Sequence, residues 1–221
     1  MKHASIRGRV KAFSLLELLV LLATLAILAA VLLPTGVHSG PSMMSKCMGH
    51  LRQVGIALTL FASDHNDQFP MQTSVTNGGS MEFVGTGSPS PHFQTVSDYA
   101  RGNWGMLVCP SDKARTRAAD HAVLSDRNIS YFLSMDATYG RPSVILTGDR
   151  NLRVAGQPVK PGLFSLTTNA AVSWTSELHN QDGMAIGGNL LLGDGHVECS
   201  RRNLAALINS QDLATNRLAI P

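Results

Sequence analysis

The chain is short of the residues that most catalytic and charge-driven proteins rely on. Of its 221 residues only 15% are charged, 5% are aromatic and three are cysteine. It has no phosphate-binding P-loop, no GxSxG elbow, no HExxH and no paired CxxC, so the commonest nucleotide, hydrolase and zinc-protease chemistries have no local signature here. The His196-Val197-Glu198 triplet has the HxE of zinc deaminases but lacks the PCxxC that completes their metal site, which leaves a strand with polar residues on one side. No pair among the eight histidines and 15 acids has a metal-binding spacing beyond what chance provides. The acid-rich Asp64-His65-Asn66-Asp67 lacks the alternating ligands and later Glu of a calcium loop and reads as a solvated helix end. On this reading the chain is not an enzyme.

The excess of positive charge is local. Lys2, Arg7, Arg9 and Lys11 belong to the first twelve residues, and without them 14 bases face 15 acids. A near-neutral remainder has no general electrostatic attraction to a polyanion, so nucleic acid is not an expected partner. At 44% hydrophobic the chain has enough apolar surface for one modest globular core.

One long apolar run stands out. Phe13 to Leu33 is 21 residues with a single ionisable group, Glu17. As a helix it would span about 30 Å, a bilayer's hydrocarbon thickness. With every leading charge basic, the expectation is a single-pass inner-membrane chain, N-terminus in the cytoplasm and the remainder outside. A secretory signal cut at Val37-His38-Ser39 and a plain anchor are the alternatives. The run is longer than an ordinary signal core, and a carboxylate at mid-membrane costs about 2.5–3.5 kcal/mol, so Glu17 calls for a partner.

The stretch Ala12-Phe13-Ser14-Leu15-Leu16-Glu17-Leu18-Leu19-Val20, after a short basic leader, resembles the processing signal of type IV pilins and type II secretion pseudopilins. The resemblance implies cleavage by a prepilin peptidase between Ala12 and Phe13, methylation of the new Phe13 amine, and pairing of that amine with Glu17 of a neighbouring subunit. Ala12 stands where the family prefers Gly. Cys47, the Leu51-Arg52-Gln53-Val54-Gly55 run and Phe69-Pro70 resemble a bacterial subfamily of such proteins. So do Cys109-Pro110-Ser111-Asp112, Ile129-Ser130-Tyr131-Phe132, Gly148-Asp149-Arg150-Asn151, and His179 followed by Asp194-Gly195. The spacing from His179 to Asp194 is longer here than is usual in that subfamily.

The expected fold is α+β and pilin-like: a basic leader (1–12), a membrane-spanning or filament-core helix (13–34), its amphipathic continuation (35–67) and a β-rich head (68–221). Pro34, Gly36, Gly40 and Pro41 interrupt the helix. Beyond them Met44, Cys47, Leu51, Val54, Leu58 and Phe61 recur at spacings of three and four, an apolar stripe with Arg52, Gln53 and Thr59 off it. In the head, Met81–Val84, Gly105–Val108, Ile129–Leu133, Ser143–Leu146 and Phe164–Trp174 read as strands, Asn189 to Cys199 as a hairpin turning at Asp194-Gly195, and Asn203–Leu213 as a short helix.

Function follows from the resemblance: a structural subunit of a secretion pseudopilus or pilus-like filament, whose partners are the peptidase, other subunits and the inner membrane. The alternatives are a subunit of a DNA-uptake pilus, or a membrane-anchored enzyme or ligand-binding protein. No cofactor is expected, except that Asp149, Asp182 and Asp194 are candidate oxygen ligands for a structural calcium by analogy with secretion pseudopilins. Export would put the cysteines in an oxidising compartment. Cys47 on the stripe and Cys109 after the run Met106-Leu107-Val108 form the favoured disulfide, closing a loop of about 60 residues; the alternative is three free, buried thiols.

Overall fold

The computed structural model describes residues 14–32, 43–201 and 204–221. The processing positions Ala12 and Phe13, and also Pro34, lie outside the described residues. The chain divides into two compact units, Met1–Gly40 and Pro41–Pro221.

The first unit contains α1 (Leu15–Leu32). Its start is a capping box: Ser14 Oγ accepts the Glu17 amide N–H at 3.2 Å, and Glu17 Oε2 accepts the Ser14 amide N–H at 3.0 Å. The lone carboxylate therefore has a partner inside its own chain. Leucine, valine and isoleucine occupy every side of the helix, and Leu15, Leu19, Leu22, Leu25 and Leu28 are all exposed.

Two expectations are corrected here. Among the described residues no helix is long and apolar enough to cross a membrane. The 18 residues of α1 rise about 27 Å at 1.5 Å each, against a hydrocarbon core of about 30 Å. The pilin-like fold with a membrane-spanning first half, and with it the single-pass inner-membrane placement with an extracytoplasmic head, is not supported. The fold is a mixed helix and sheet structure, and the amphipathic stretch contains α2 (Met43–Asp64), which belongs to the second unit.

α2 buries the stripe read from the sequence, Met44, Cys47, Leu51, Val54, Leu58 and Phe61, together with Gly55, Ala57 and Ala62. Short helices α3 (Ser90–Thr95) and α4 (Ser97–Ala100) follow, then eleven strands and a last helix among the described residues. The strands are β1 (Tyr131–Ser134), β2 (Ile145–Asp149), β3 (Leu152–Val154), β4 (Gln157–Pro158), β5 (Gly162–Thr167), β6 (Val172–Trp174), β7 (Asn180–Gln181), β8 (Met184–Ala185), β9 (Gly188–Leu192), β10 (Val197–Ser200) and β11 (Thr215–Ile220), with α5 (Leu204–Asn209) before β11. Six form the main sheet in the order β10-β9-β2-β1-β11-β5, antiparallel throughout.

This sheet is covered on both faces. Tyr131, Leu133, Leu191, Val197 and Ala219 pack with the stripe of α2, while their strand neighbours Phe132, Leu190, Leu218 and Ile220 pack with Trp174, Leu204 and Ile208 on the other side. Successive side chains point to opposite faces, so a strand covered twice becomes apolar throughout. α2 lies against β9, β10 and α4. At Gly55 a Cβ would sit 3.0 Å from Leu191 Cδ1, so α2 passes close to β9 there.

The hairpin forms with Asp194-Gly195 in its turn, Gly195 having φ +87°. Two expected strands are instead short 3₁₀ helices, Met81–Thr86 and Trp104–Leu107. The run Phe164 to Trp174 splits into β5 and β6 around Asn169, whose φ is 67°.

The packing of α2 makes a simple prediction. Leu51 is 0% exposed and Leu60, on the opposite face, is 46% exposed. Leu51→Ala should lower stability by about 2–5 kcal/mol, since it removes buried methyl groups and leaves a cavity, and Leu60→Ala should change it by less than about 0.5 kcal/mol. Urea unfolding monitored by circular dichroism checks both; equal effects would contradict the placement of the helix.

Candidate functional site

Five segments converge beneath α2. Tyr131 of β1 pairs with Asp149 of β2 in register, and residues directly opposite share a face, so both point toward the helix. Asn189, at the start of β9, lies beside Asp149. Cys47 comes down from the second turn of α2, Cys109 follows the 3₁₀ turn at Trp104–Leu107, and His179 arrives on the loop before β7. The Cys109 segment is pinned to the sheet where the Ser130 amide donates to the Leu107 carbonyl at 2.8 Å.

The contacts are close and nearly all made within the group. Cys47 Sγ lies 3.2 Å from both Asp149 Oδ1 and Tyr131 Oη. Cys109 Sγ is 3.6 Å from His179 Nε2, which is 3.1 Å from Asp149 Oδ2. Ser111 Oγ meets the other ring nitrogen, Nδ1, at 3.3 Å. Asn189 donates to Asp149 Oδ2 twice, from its amide at 2.7 Å and from Nδ2 at 3.1 Å. Cys47, Cys109 and Asp149 are 0% exposed and His179 is 3% exposed.

Sealing these groups from water separates their proton affinities. Burial, with Cys109 and Asp149 close by, pushes the Cys47 thiol well up. The hydrogen bond from Cys47 pulls Cys109 down to about 6 against the opposing effect of burial, with His179 adding to the stabilisation. Burial would lower His179, but Asp149 and the Cys109 sulfur together raise it to about 10. Tyr131 is pushed up by burial and by the neighbouring Cys47 and Asp149. Cys109 is therefore the more acidic of the two thiols, and His179 holds its proton more tightly than a free imidazole does. Buried charges persist only when paired and hydrogen-bonded in this way.

One ligand atom from each of Cys47, Cys109, Asp149 and His179 lies within 4.8 Å of every other, so these four could hold a metal ion; no other such group occurs among the described residues. In the sequence each of these residues stands out separately, with no metal-binding spacing among them. The ligands come from four distant segments, so no local signature exists. The expected Cys47 and Cys109 pair is brought together, as two free thiols. Cys199 stands apart, its Sγ donating to Met44 Sδ at 3.4 Å.

The proposed calcium ligands are not assembled. Asp149 belongs to the buried group, Asp182 is exposed in the turn between β7 and β8, and Asp194 accepts the His196 amide at 2.9 Å within its own exposed turn. His179 and the Asp194-Gly195 pair, joined by the family resemblance, thus do different things: one lines the buried group and the other shapes a hairpin.

A second interaction braces the group. Arg150 donates Nε to Asp112 Oδ2 at 2.8 Å and Nη2 to Asp112 Oδ1 at 3.0 Å, with Nη1 on Glu177 Oε2 at 2.9 Å. It ties the Cys109-Pro110-Ser111-Asp112 turn to the end of β2 and to the approach of His179. The Asp112 side chain is 1% exposed. Burial alone would raise its carboxyl, yet Arg150 holds it below the usual carboxylate range.

No protein-family model, curated protein or solved structure matches the chain.

Arg150→Met would leave Asp112 buried without its cation, and stability at pH 7 should fall by about 3–5 kcal/mol. Because the folded-state pKa of Asp112 is depressed, its contribution is complete above the carboxylate range and is lost as pH falls through that range. The gap between wild type and variant should therefore narrow toward pH 3. Urea unfolding at both pH values measures it, and a gap independent of pH would contradict the pairing.

Proposed function

We propose that the chain works by assembly, as a structural subunit of a pseudopilus- or pilus-like filament, and not by catalysis. The observation that carries this reading is the surface of α1. Its large apolar side chains face outward all around the helix, Leu19 at 61% and Leu22 at 57% exposure, and a helix apolar on every side is stable in water only when other helices cover it. Equivalent helices of neighbouring subunits are the natural cover, since they offer the same leucine-rich surface. The resemblance of Ala12-Phe13-Ser14-Leu15-Leu16-Glu17 to a prepilin signal adds the chemistry: a peptidase frees the Phe13 amine, and Glu17 of an adjacent subunit neutralises it. The second unit, with its covered sheet and sealed side-chain cluster, is what each subunit displays. Its near-neutral charge gives nucleic acid no hold on it.

Sedimentation of the full chain tests this. Wild type should form large, concentration-dependent assemblies, and Leu19→Asp with Leu22→Asp should reduce them to monomer with the second unit still folded. Glu17→Gln separates the two uses of that residue, because glutamine can retain the capping box while removing the charge. It should keep the helix and weaken assembly. A wild-type chain that remains monomeric at all concentrations would overturn the proposal.

A further inference from the structure

We propose that Cys47, Cys109, Asp149 and His179 form a closed, four-coordinate structural zinc site that fastens α2 to the sheet. A tetrahedral zinc ion bound at about 2.0–2.3 Å holds its ligand atoms about 3.3–3.8 Å apart. Two of the separations are already close to those edges, 3.2 Å from Cys47 Sγ to Asp149 Oδ1 and 3.6 Å from Cys109 Sγ to His179 Nε2, while the other carboxylate oxygen, Oδ2, lies 3.1 Å from His179 Nε2. All six lie within 4.8 Å.

The donor set selects the metal. Two sulfurs with one imidazole and one carboxylate suit zinc, whereas calcium and magnesium take oxygen alone and copper(I) favours a softer set than one containing a carboxylate. The surroundings match what a zinc site needs around its ligands. His179 has Nε2 toward the cluster and its other nitrogen, Nδ1, on Ser111 Oγ at 3.3 Å, the outer contact that orients a metal-binding histidine. Asn189 holds Asp149 Oδ2 with two hydrogen bonds, leaving Oδ1 toward Cys47. Without an ion the arrangement contains a conflict: Asn189 Nδ2, a donor only, lies 3.3 Å from His179 Nε2, which must also donate if it is to serve Asp149. An ion removes it, since Nε2 then gives up its proton and presents a lone pair. Zinc takes its ligands as two thiolates, a neutral imidazole and a carboxylate, so the protons that the two sulfurs and Nε2 carry beforehand pass to solvent as it enters.

The site is structural and not catalytic because all four ligands are protein groups and none is open to solvent, leaving no position for water or substrate. This inference is independent of the assembly reading: it concerns only the second unit.

The test is the metal content of the full chain, purified without a histidine tag and dialysed against buffer containing zinc. The expected result is one equivalent of zinc per chain, released by a mercurial that titrates two thiols per ion. Cobalt(II) in its place should give sulfur-to-metal charge-transfer bands and tetrahedral visible absorption. Cys109→Ser should lose the zinc. Ser111→Ala, which keeps all four ligands, should fold normally and bind zinc about 10–100-fold more weakly, an effect that a purely packing role for Ser111 would not produce. A folded wild-type chain that takes up no zinc, or one that yields a Cys47 to Cys109 cross-linked peptide in its place, would overturn the proposal. So would zinc that is not released by thiol modification.

Discussion

A carboxylate sealed from water, with a histidine and not a lysine or arginine as its ionic partner, is the constraint around which the second unit is organised. Asp149 is 0% exposed, and its contacts are Cys47, His179 and Asn189. A charge so placed is tolerable only if every neighbour that satisfies it arrives in register. Those neighbours come from α2, from the loop before β7 and from β9, so satisfying Asp149 fixes how helix, loop and sheet meet. The Arg150 to Asp112 pair does the same one residue along the chain, drawing the Cys109 turn onto the end of β2. The proposed zinc ion would replace this set of hydrogen bonds with four directed bonds and give the cluster a stabilising role that hydrogen bonds alone supply weakly.

The two units use their apolar residues in opposite ways. In the second unit a six-stranded sheet is covered on both faces, by α2 on one and by α5 and β6 on the other. In the first unit α1 leaves its apolar surface open. That contrast underlies the assembly reading, in which what one chain cannot bury, several chains bury together. The intrachain contact of Glu17 is compatible with it. Within the chain Glu17 closes the capping box with Ser14, and in the proposed assembly its charge would serve a neighbouring amine.

Legibility from sequence followed the physics of each element. The stripe Met44, Cys47, Leu51, Val54, Leu58, Phe61 was readable because α2 has one buried face and one wet one, and the Asp194-Gly195 hairpin because its turn demands a positive φ. β11 was missed. It lies between β1 and β5, is covered on both sides at Leu218, Ala219 and Ile220, and carries a buried Asn216 held by Ser134 and Gln211, so it has no simple alternation. The apolar runs at Met81 and Trp104 are too short for periodicity to tell a strand from a single helical turn. The membrane-spanning reading rests on the length and apolarity of Phe13 to Leu33, on its basic leader and on the resemblance of its first residues, whereas the described helix stops three ångströms or so short of the hydrocarbon thickness. Of the cluster, the approach of Cys47 to Cys109 could be anticipated from where each sits on an apolar run. The inclusion of Asp149 and His179 could not, because it depends on β1–β2 register and on a loop with no pattern of its own.

The central claim, that one buried cluster holds α2, β2 and two loops together through a metal, is tested most directly by X-ray absorption at the zinc edge on the full chain in solution. The account predicts a mixed first shell with two sulfur atoms at about 2.3 Å and two nitrogen or oxygen atoms at about 2.0–2.2 Å. A shell made only of nitrogen and oxygen would contradict it, because such an ion would be bound elsewhere on the surface and the cluster would rest on shared protons alone.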